Sequence, residues 1–409
     1  LGATSSHNNL LPHLFRQEYA KMTAVICRHF GLNHIAVAED IASDTFLKAS
    51  EHWALNGIPE NPVAWLYAVA KNKAKDYLRH LHVVQNHSER NNSLVEEPAI
   101  DVEIDERIIR DSQLAMIFAV CNPAIPPEGQ ICLALQVLCG FSLQEISNAF
   151  LTNRETIKKR LQRARQHLRN NEFSLEHLSE KHIASRLDTV LKTIYLLFNE
   201  GYFSETHPSA IRKDLCSEAV RLALILTENS LTCTPKVNAL LALMCFQISR
   251  LEARINAEGK TVLFEEQDRK MWDQQMINLG NYYLIAATEG NDISKYHLEA
   301  GIAYWHTTED KNKWQHILRL YNQLILIEYS PMTALSRAFA ISKVYGNSEA
   351  ISEVEKLQLD SIYHYYALLG YLHSTIDKKK AIENYEKAIS LTTSPAAKQR
   401  LTEEMARLQ

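Results

Sequence analysis

In the stretch AVAEDIASDTFLKASEHW, Ala38, Ile41, Ala42, Thr45, Ala49 and Trp53 recur at spacings of three and four. That period belongs to one face of an α-helix and to no face of a strand, so it calls for an amphipathic helix with a buried stripe. VAWLYAVAKNKAKDYLRHL does the same with Leu66, Val69, Ala70, Ala74, Tyr77, Leu78 and Leu81, behind a Pro62 placed for a helix start. It sets Lys71, Lys75 and Arg79 on a different face. Over 409 residues only 12 Gly and 11 Pro are available to interrupt such patterns, while Leu, Ala, Glu, Lys and Arg are plentiful. Each Gly or Pro inside a helix costs about 1 or 3 kcal/mol, so their scarcity extends the helical reading along the chain. The expected fold class is all-α with short connections.

The chain is too long for one core, and its 46% apolar composition is enough to fill two to four. Cysteines at 27, 121, 132, 139, 216, 233 and 245 form no CxxC pair and have no His at zinc-like spacing. Most of them read as reduced core residues, with no metal and no cofactor. No segment approaches the roughly 18 unbroken apolar residues of a membrane span, and no basic-then-apolar signal opens the chain. A cytoplasmic protein without a membrane partner is expected.

Five segments emerge. Residues 1–87 read as a helical bundle. Residues 88–112 read as an acidic linker, because from Ser88 to Asp111 eight Asp or Glu face three Arg around Pro98. Residues 113–172 form a second helical unit, and 173–330 a helical extension. Residues 331–409 carry a repeat signal: Ala381, Tyr385 and Ala388 keep the spacing of a tetratricopeptide second helix, with Gly370 upstream. Ala338, Ala350, Val354 and Leu357 make a weaker copy.

The second unit holds RETIKKRLQRARQHLR, with seven Lys or Arg and one Glu in sixteen positions. The formal charge of the whole chain is only −4, so the cations are concentrated here. A solvated helix normally mixes both signs, whereas a one-sign helix suits a polyanion. Just before it, Leu143, Ile146 and Ala149 pattern a short helix, and Asn153 is placed to cap the next one. Ile157, Leu161, Ala164 and Leu168 stripe that second helix. Two short helices with so small a connection predict a helix-turn-helix. Thr156, Lys159, Arg160 and Arg163 are then placed for base edges and Lys158, Arg165 and Arg169 for phosphates, with Asn153 and Arg154 in the same DNA-binding set.

Taken together, AEDIASDTFLKASEHW, NPVAWLYAVAKNKAKDYLR and SLQEISNAFLTNRETIKKRLQRARQHLR resemble, in this order, bacterial extracytoplasmic-function sigma factors. The likeness covers roughly residues 10 to 171. IYLLFNEGYFSETHPSAIRKDLCSEAVRLALIL, GKTVLFEEQDRKMWD and ALSRAFAISKVYG look like the C-terminal extension of the subgroup with tetratricopeptide repeats. The resemblance implies a region-two helical bundle, a region-four helix-turn-helix domain reading the upstream promoter element, and an extension with tetratricopeptide-like hairpins. It implies core RNA polymerase and promoter DNA as partners, with a protein partner or an intramolecular contact for the extension. Asp40, Asp44 and Leu47 would meet the polymerase. Lys71, Asn72, Lys73, Lys75 and Arg79 would serve the downstream element and strand opening, with Asn72 on an unstacked base. Trp65 reads as core more than as a stacking platform, and Asp76 as a partner of Arg79.

The resemblance implies binding, with catalysis left to the polymerase. The alternative is a stand-alone helix-turn-helix regulator with a tetratricopeptide-like partner-binding domain. A helical enzyme with a DNA-binding appendage is disfavoured. ARINAEGKT has Arg254 where a phosphate-binding loop needs Gly, so it reads as a tight turn. Glu265, Glu266, Asp268 and Asp273 read as surface charge or helix caps, and the histidines at 297, 306, 316, 364 and 373 show no ligand spacing.

Overall fold

In the computed structural model the structure describes residues 3–88, 104–150, 152–170, 173, 175, 178–202, 212–256, 262, 264–290 and 292–408. All its α-helices can be followed in chain order, and the chain divides into two compact units, Leu1–Leu196 and Leu197–Gln409. Most of the acidic linker, and the AEGKT turn, lie outside the described residues.

The first unit contains α1 (Ala3–Phe30), α2 (Ile35–Asn56), α3 (Pro62–Ser88), α4 (Glu106–Val120), α5 (Pro127–Leu133), α6 (Leu143–Ala149) and α7 (Arg154–Arg169), with the start of α8 (Glu180–Tyr202). Its centre is α1, where Met22, Val25, Ile26 and Cys27 are fully buried. A helix buried on every side needs neighbours on every side. α2 and α3 cover one flank, and α4 covers another. α4 itself is buried at every position from Leu114 to Val120, so α5 to α7 cannot cover it alone. That shared burial brings the first and second helical segments into one unit.

The expected stripe of α2 is fully buried, whereas in that of α3 Val69, Tyr77, Leu78 and Leu81 are only half-buried. Ala38, Ile41, Ala42, Thr45, Ala49 and Trp53 are all buried in α2, as are Leu66, Ala70 and Ala74 in α3. Trp65 packs at 5.5 Å from Trp53 and 5.3 Å from His52. Helix ends follow local chemistry: Gly31 and Gly57, at φ of 80° and 81°, end α1 and α2 in a conformation side chains resist. Between α5 and α6, residues Ala134–Leu138 form a π turn.

The second unit holds the end of α8, then α9 (Lys213–Thr227), α10 (Pro235–Ile248), α11 (Gln274–Ala286), α12 (Lys295–Thr307), α13 (Lys313–Ile327), α14 (Pro331–Tyr345), α15 (Asn347–Lys356), α16 (Tyr363–His373), α17 (Lys378–Leu391) and α18 (Pro395–Ala406). From α9 onward each helix packs on the next in sequence, so the core is built from neighbour contacts, as in stacked helical arrays. Ala338, Ala350, Val354, Ala381, Tyr385 and Ala388 are buried, and Leu357 is half-buried. Gly370 lies where a Cβ would stand 2.7 Å from the Tyr385 ring, which is why α16 and α17 can approach so closely. α14 passes into α15 through Gly346 alone, at φ 95°.

Candidate nucleic-acid interface

Helix α7 begins where the sequence places it. The Asn153 Oδ1 accepts the Glu155 N–H at 2.8 Å, which commits that oxygen to capping the helix. Four residues separate α6 from α7. α6 opens with a capping box, in which the Ser142 hydroxyl accepts from the Glu145 N–H and the Glu145 carboxylate from the Ser142 N–H. Ile157, Leu161, Ala164 and Leu168 are buried.

This burial divides the cations. Arg154, Thr156, Lys158, Lys159, Arg163 and Arg169 are exposed. Arg160 and Arg165 are not outward, contrary to the sequence expectation. Arg160 lies three residues after Ile157 and four before Ala164, on the border of the buried stripe, and turns toward Cys132 of α5. Arg165 lies four residues after Leu161 and three before Leu168, on the same border. Its guanidinium donates to both carboxylate oxygens of Glu39 in α2, at 2.6 and 2.7 Å, and to Gln136 of the π turn at 2.9 and 3.1 Å. The Arg165 and Glu39 side chains are only 16% and 14% exposed. Burial, then the Glu39 charge beside it, pushes the Tyr19 phenol up to about 12.

Sequence reasoning does not single out Glu39 or Gln136. The available signal was the position of Arg165 beside its own helix stripe, together with Glu39 next to the buried Ala38. Neither residue alone distinguishes a phosphate contact from an internal ion pair.

On α2, Asp40, Asp44 and Leu47 are all exposed, Leu47 by 59%. Asp44 meets Lys73 of α3 at 3.3 Å, so the acidic face of α2 adjoins the basic face of α3. On α3, Asn72 and Arg79 are exposed and Lys71, Lys73 and Lys75 are half-buried. Arg79 pairs with Asp76 at 3.1 Å. The α3 set and the exposed α7 cations belong to one unit. An exposed, predominantly cationic helix and a mixed-charge helix pair in the same unit are chemically equipped for phosphates and for a charged protein surface.

Elsewhere the acidic residues serve structure. Asp268 caps a short turn through the Lys270 N–H, Asp273 caps α11, Glu265 meets Lys343 at 2.6 Å and Glu266 meets Arg407 at 3.3 Å. Among the described residues no three His, Cys, Asp or Glu gather as a metal site, and no helix is long and apolar enough to cross a membrane.

The sigma-70 region 2 profile matches residues 14–82, and that of a family of unknown function, DUF6596, matches residues 186–288. The chain is 30% identical over 384 residues to "Uncharacterized protein R00370" of Rhizobium meliloti (strain 1021), covering 90% of this chain and 89% of that protein. It is 27% identical over 149 residues to "ECF RNA polymerase sigma factor SigK" of Mycobacterium ulcerans (strain Agy99), covering 36% of this chain and 76% of that one. No solved structure matches.

Proposed function

Because the chain belongs to the family of the Rhizobium meliloti protein R00370 and carries a sigma-70 region 2, we propose that it is an extracytoplasmic-function-type sigma factor with a regulatory helical extension. In this reading α2 presents Asp40, Asp44 and Leu47 to core RNA polymerase. α3 serves the downstream promoter element with Lys71, Asn72, Lys73, Lys75 and Arg79. α6 and α7 act as a helix-turn-helix of region-four type, with Asn153, Arg154, Thr156, Lys159 and Arg163 at base edges and Lys158 and Arg169 on phosphates. Arg160 takes the flank of that contact. The polymerase performs the chemistry, and the second unit, with its tetratricopeptide-like hairpins, adjusts how the first engages DNA.

The observation that carries the reading is the exposed cationic face of α7 in the same unit as region 2. An acidic chain with a helix that exposes Arg154, Lys158, Lys159, Arg163 and Arg169 in the same unit as region 2 suits promoter recognition better than general solubility. The test is retention of the full chain on core RNA polymerase, with Asp40 and Asp44 both replaced by Lys, followed by transcription from a promoter-fragment library at fixed salt. Loss of retention and of initiation is expected. Undiminished retention of the doubly substituted chain would overturn the polymerase-binding assignment.

A further inference from the structure

The second unit contains a cavity of 610 Å³, within the range of sites for small organic ligands. Its wall is a relay of rings from the turn Phe264–Glu266 and four helices. Phe264 meets His306 at 4.6 Å, His306 meets Trp314 at 5.5 Å, Trp314 meets Phe339 at 5.7 Å, and Phe339 meets Tyr371 at 5.6 Å. Such a wall offers ring faces and edges to a flat apolar body.

The turn Phe264–Glu266 is tied to the helices opposite. Glu265 pairs with Lys343 of α14, and Glu266 with Arg407 just beyond α18.

The charges around the pocket are unequal once paired. Glu265 pairs with Lys343, while Glu266 and Glu404 share Arg407 and together keep one negative charge. Among the described residues no carboxylate pairs with Arg250 or Arg400, which also line the cavity. Arg250 donates to the Tyr202 hydroxyl at 3.2 Å and lies over the Phe264 ring at 5.0 Å. Beside it His306 is held neutral, its pKa lowered to about 3 by burial and then by the cations Arg250, Lys313 and Arg269. Among the described residues, Arg250 therefore presents to the pocket a positive charge that no carboxylate pairs with.

We propose that this cavity binds a small aromatic acid, with its rings along the Trp314, Phe339 and Tyr371 wall and its anionic group at Arg250. The proposal concerns the second unit alone and stands independently of the transcription reading. Such a ligand would let a small molecule act on the extension.

The probe is 8-anilinonaphthalene-1-sulfonate, compared with the uncharged N-phenyl-1-naphthylamine, titrated into the full chain by fluorescence. The expected result is one saturable site per chain, with the sulfonate bound at least about 10-fold more tightly than the neutral amine. Arg250→Gln should weaken the sulfonate by about 10-fold and leave the neutral amine unchanged, while Arg250→Lys retains most of the preference. Ala367→Trp, which fills the cavity from α16, should abolish both, with the far-ultraviolet dichroism and melting curve retained. Absence of a saturable site, binding that survives Ala367→Trp on an exposed face such as that of Tyr282 and Ile285, or equal affinity for both probes would each overturn the proposal.

Discussion

The pair that fastens α7 to α2 has a size that can be worked out. Arg165 reaches both oxygens of Glu39, at 2.6 and 2.7 Å, and each side chain keeps only about one-sixth of its exposure. With charge centres about 4 Å apart and an effective dielectric near 20, the attraction is about 4 kcal/mol. Desolvating the two ions costs several kcal/mol, so the pair as a whole gains little over a well-packed apolar pair. Deleting one partner is different, because the other charge stays buried. Fully buried pairs then lose about 3–5 kcal/mol, and the residual exposure here puts Glu39→Met and Arg165→Met near the low end, about 3 kcal/mol each. The double replacement should lose far less than the sum, giving a coupling energy of about 2 kcal/mol or more. Hydrogen exchange on the full chain, read from peptides in α2 and α7, measures this directly. Each single variant should accelerate local exchange about 150-fold, at a tenfold change per 1.4 kcal/mol. Losses that add to within about 0.5 kcal/mol in the double variant would show that the two residues do not act as a pair.

Three further outcomes are expected. Lys158→Ala and Arg169→Ala should each flatten the log-affinity against log-salt line for promoter DNA by about 0.9, whereas Arg165→Met should leave the slope unchanged; equal slopes for all three would refute the division of the helix. Burial pushes the Cys132 thiol up to about 11, those of Cys121, Cys216 and Cys245 up to about 12, and that of Cys27 further still. Their unfolded value is about 8.5, so their contribution is whole below that pH and is lost as pH rises toward the folded values; the melting temperature should fall steadily above about pH 8.5, and a flat profile to pH 11 would contradict it. Gly370→Ala would drive a Cβ to 2.7 Å from the buried Tyr385 ring and should cost about 1–3 kcal/mol, seen as a lower melting temperature of the second unit; an unchanged melt would mean that α16 and α17 separate freely.

Helix identity and the inner faces were legible in the sequence because they depend on short-range periodicity. Ala38 to Trp53, Ile157 to Leu168 and Ala381 to Ala388 carry their burial pattern in spacings of three and four, and Asn153 carries its cap in its own side chain. The exposed cations of α7 followed as the complement of its stripe. What the spacing could not determine was the behaviour of residues at the edge of a stripe, which depends on what another helix brings to them. Arg160 and Arg165 share the helical logic of Lys158 and Arg169, yet Cys132, Glu39 and Gln136 draw them inward. The cavity of the second unit is of the same kind, since Arg250 in the turn after α10 and His306, Trp314 and Tyr371 from three helices are separated in sequence with no sign of their meeting. Local chain chemistry sets which residues are helical and which face is apolar. Only packing, where a charge finds a distant partner or is left without one, decides which polar groups remain available to a ligand.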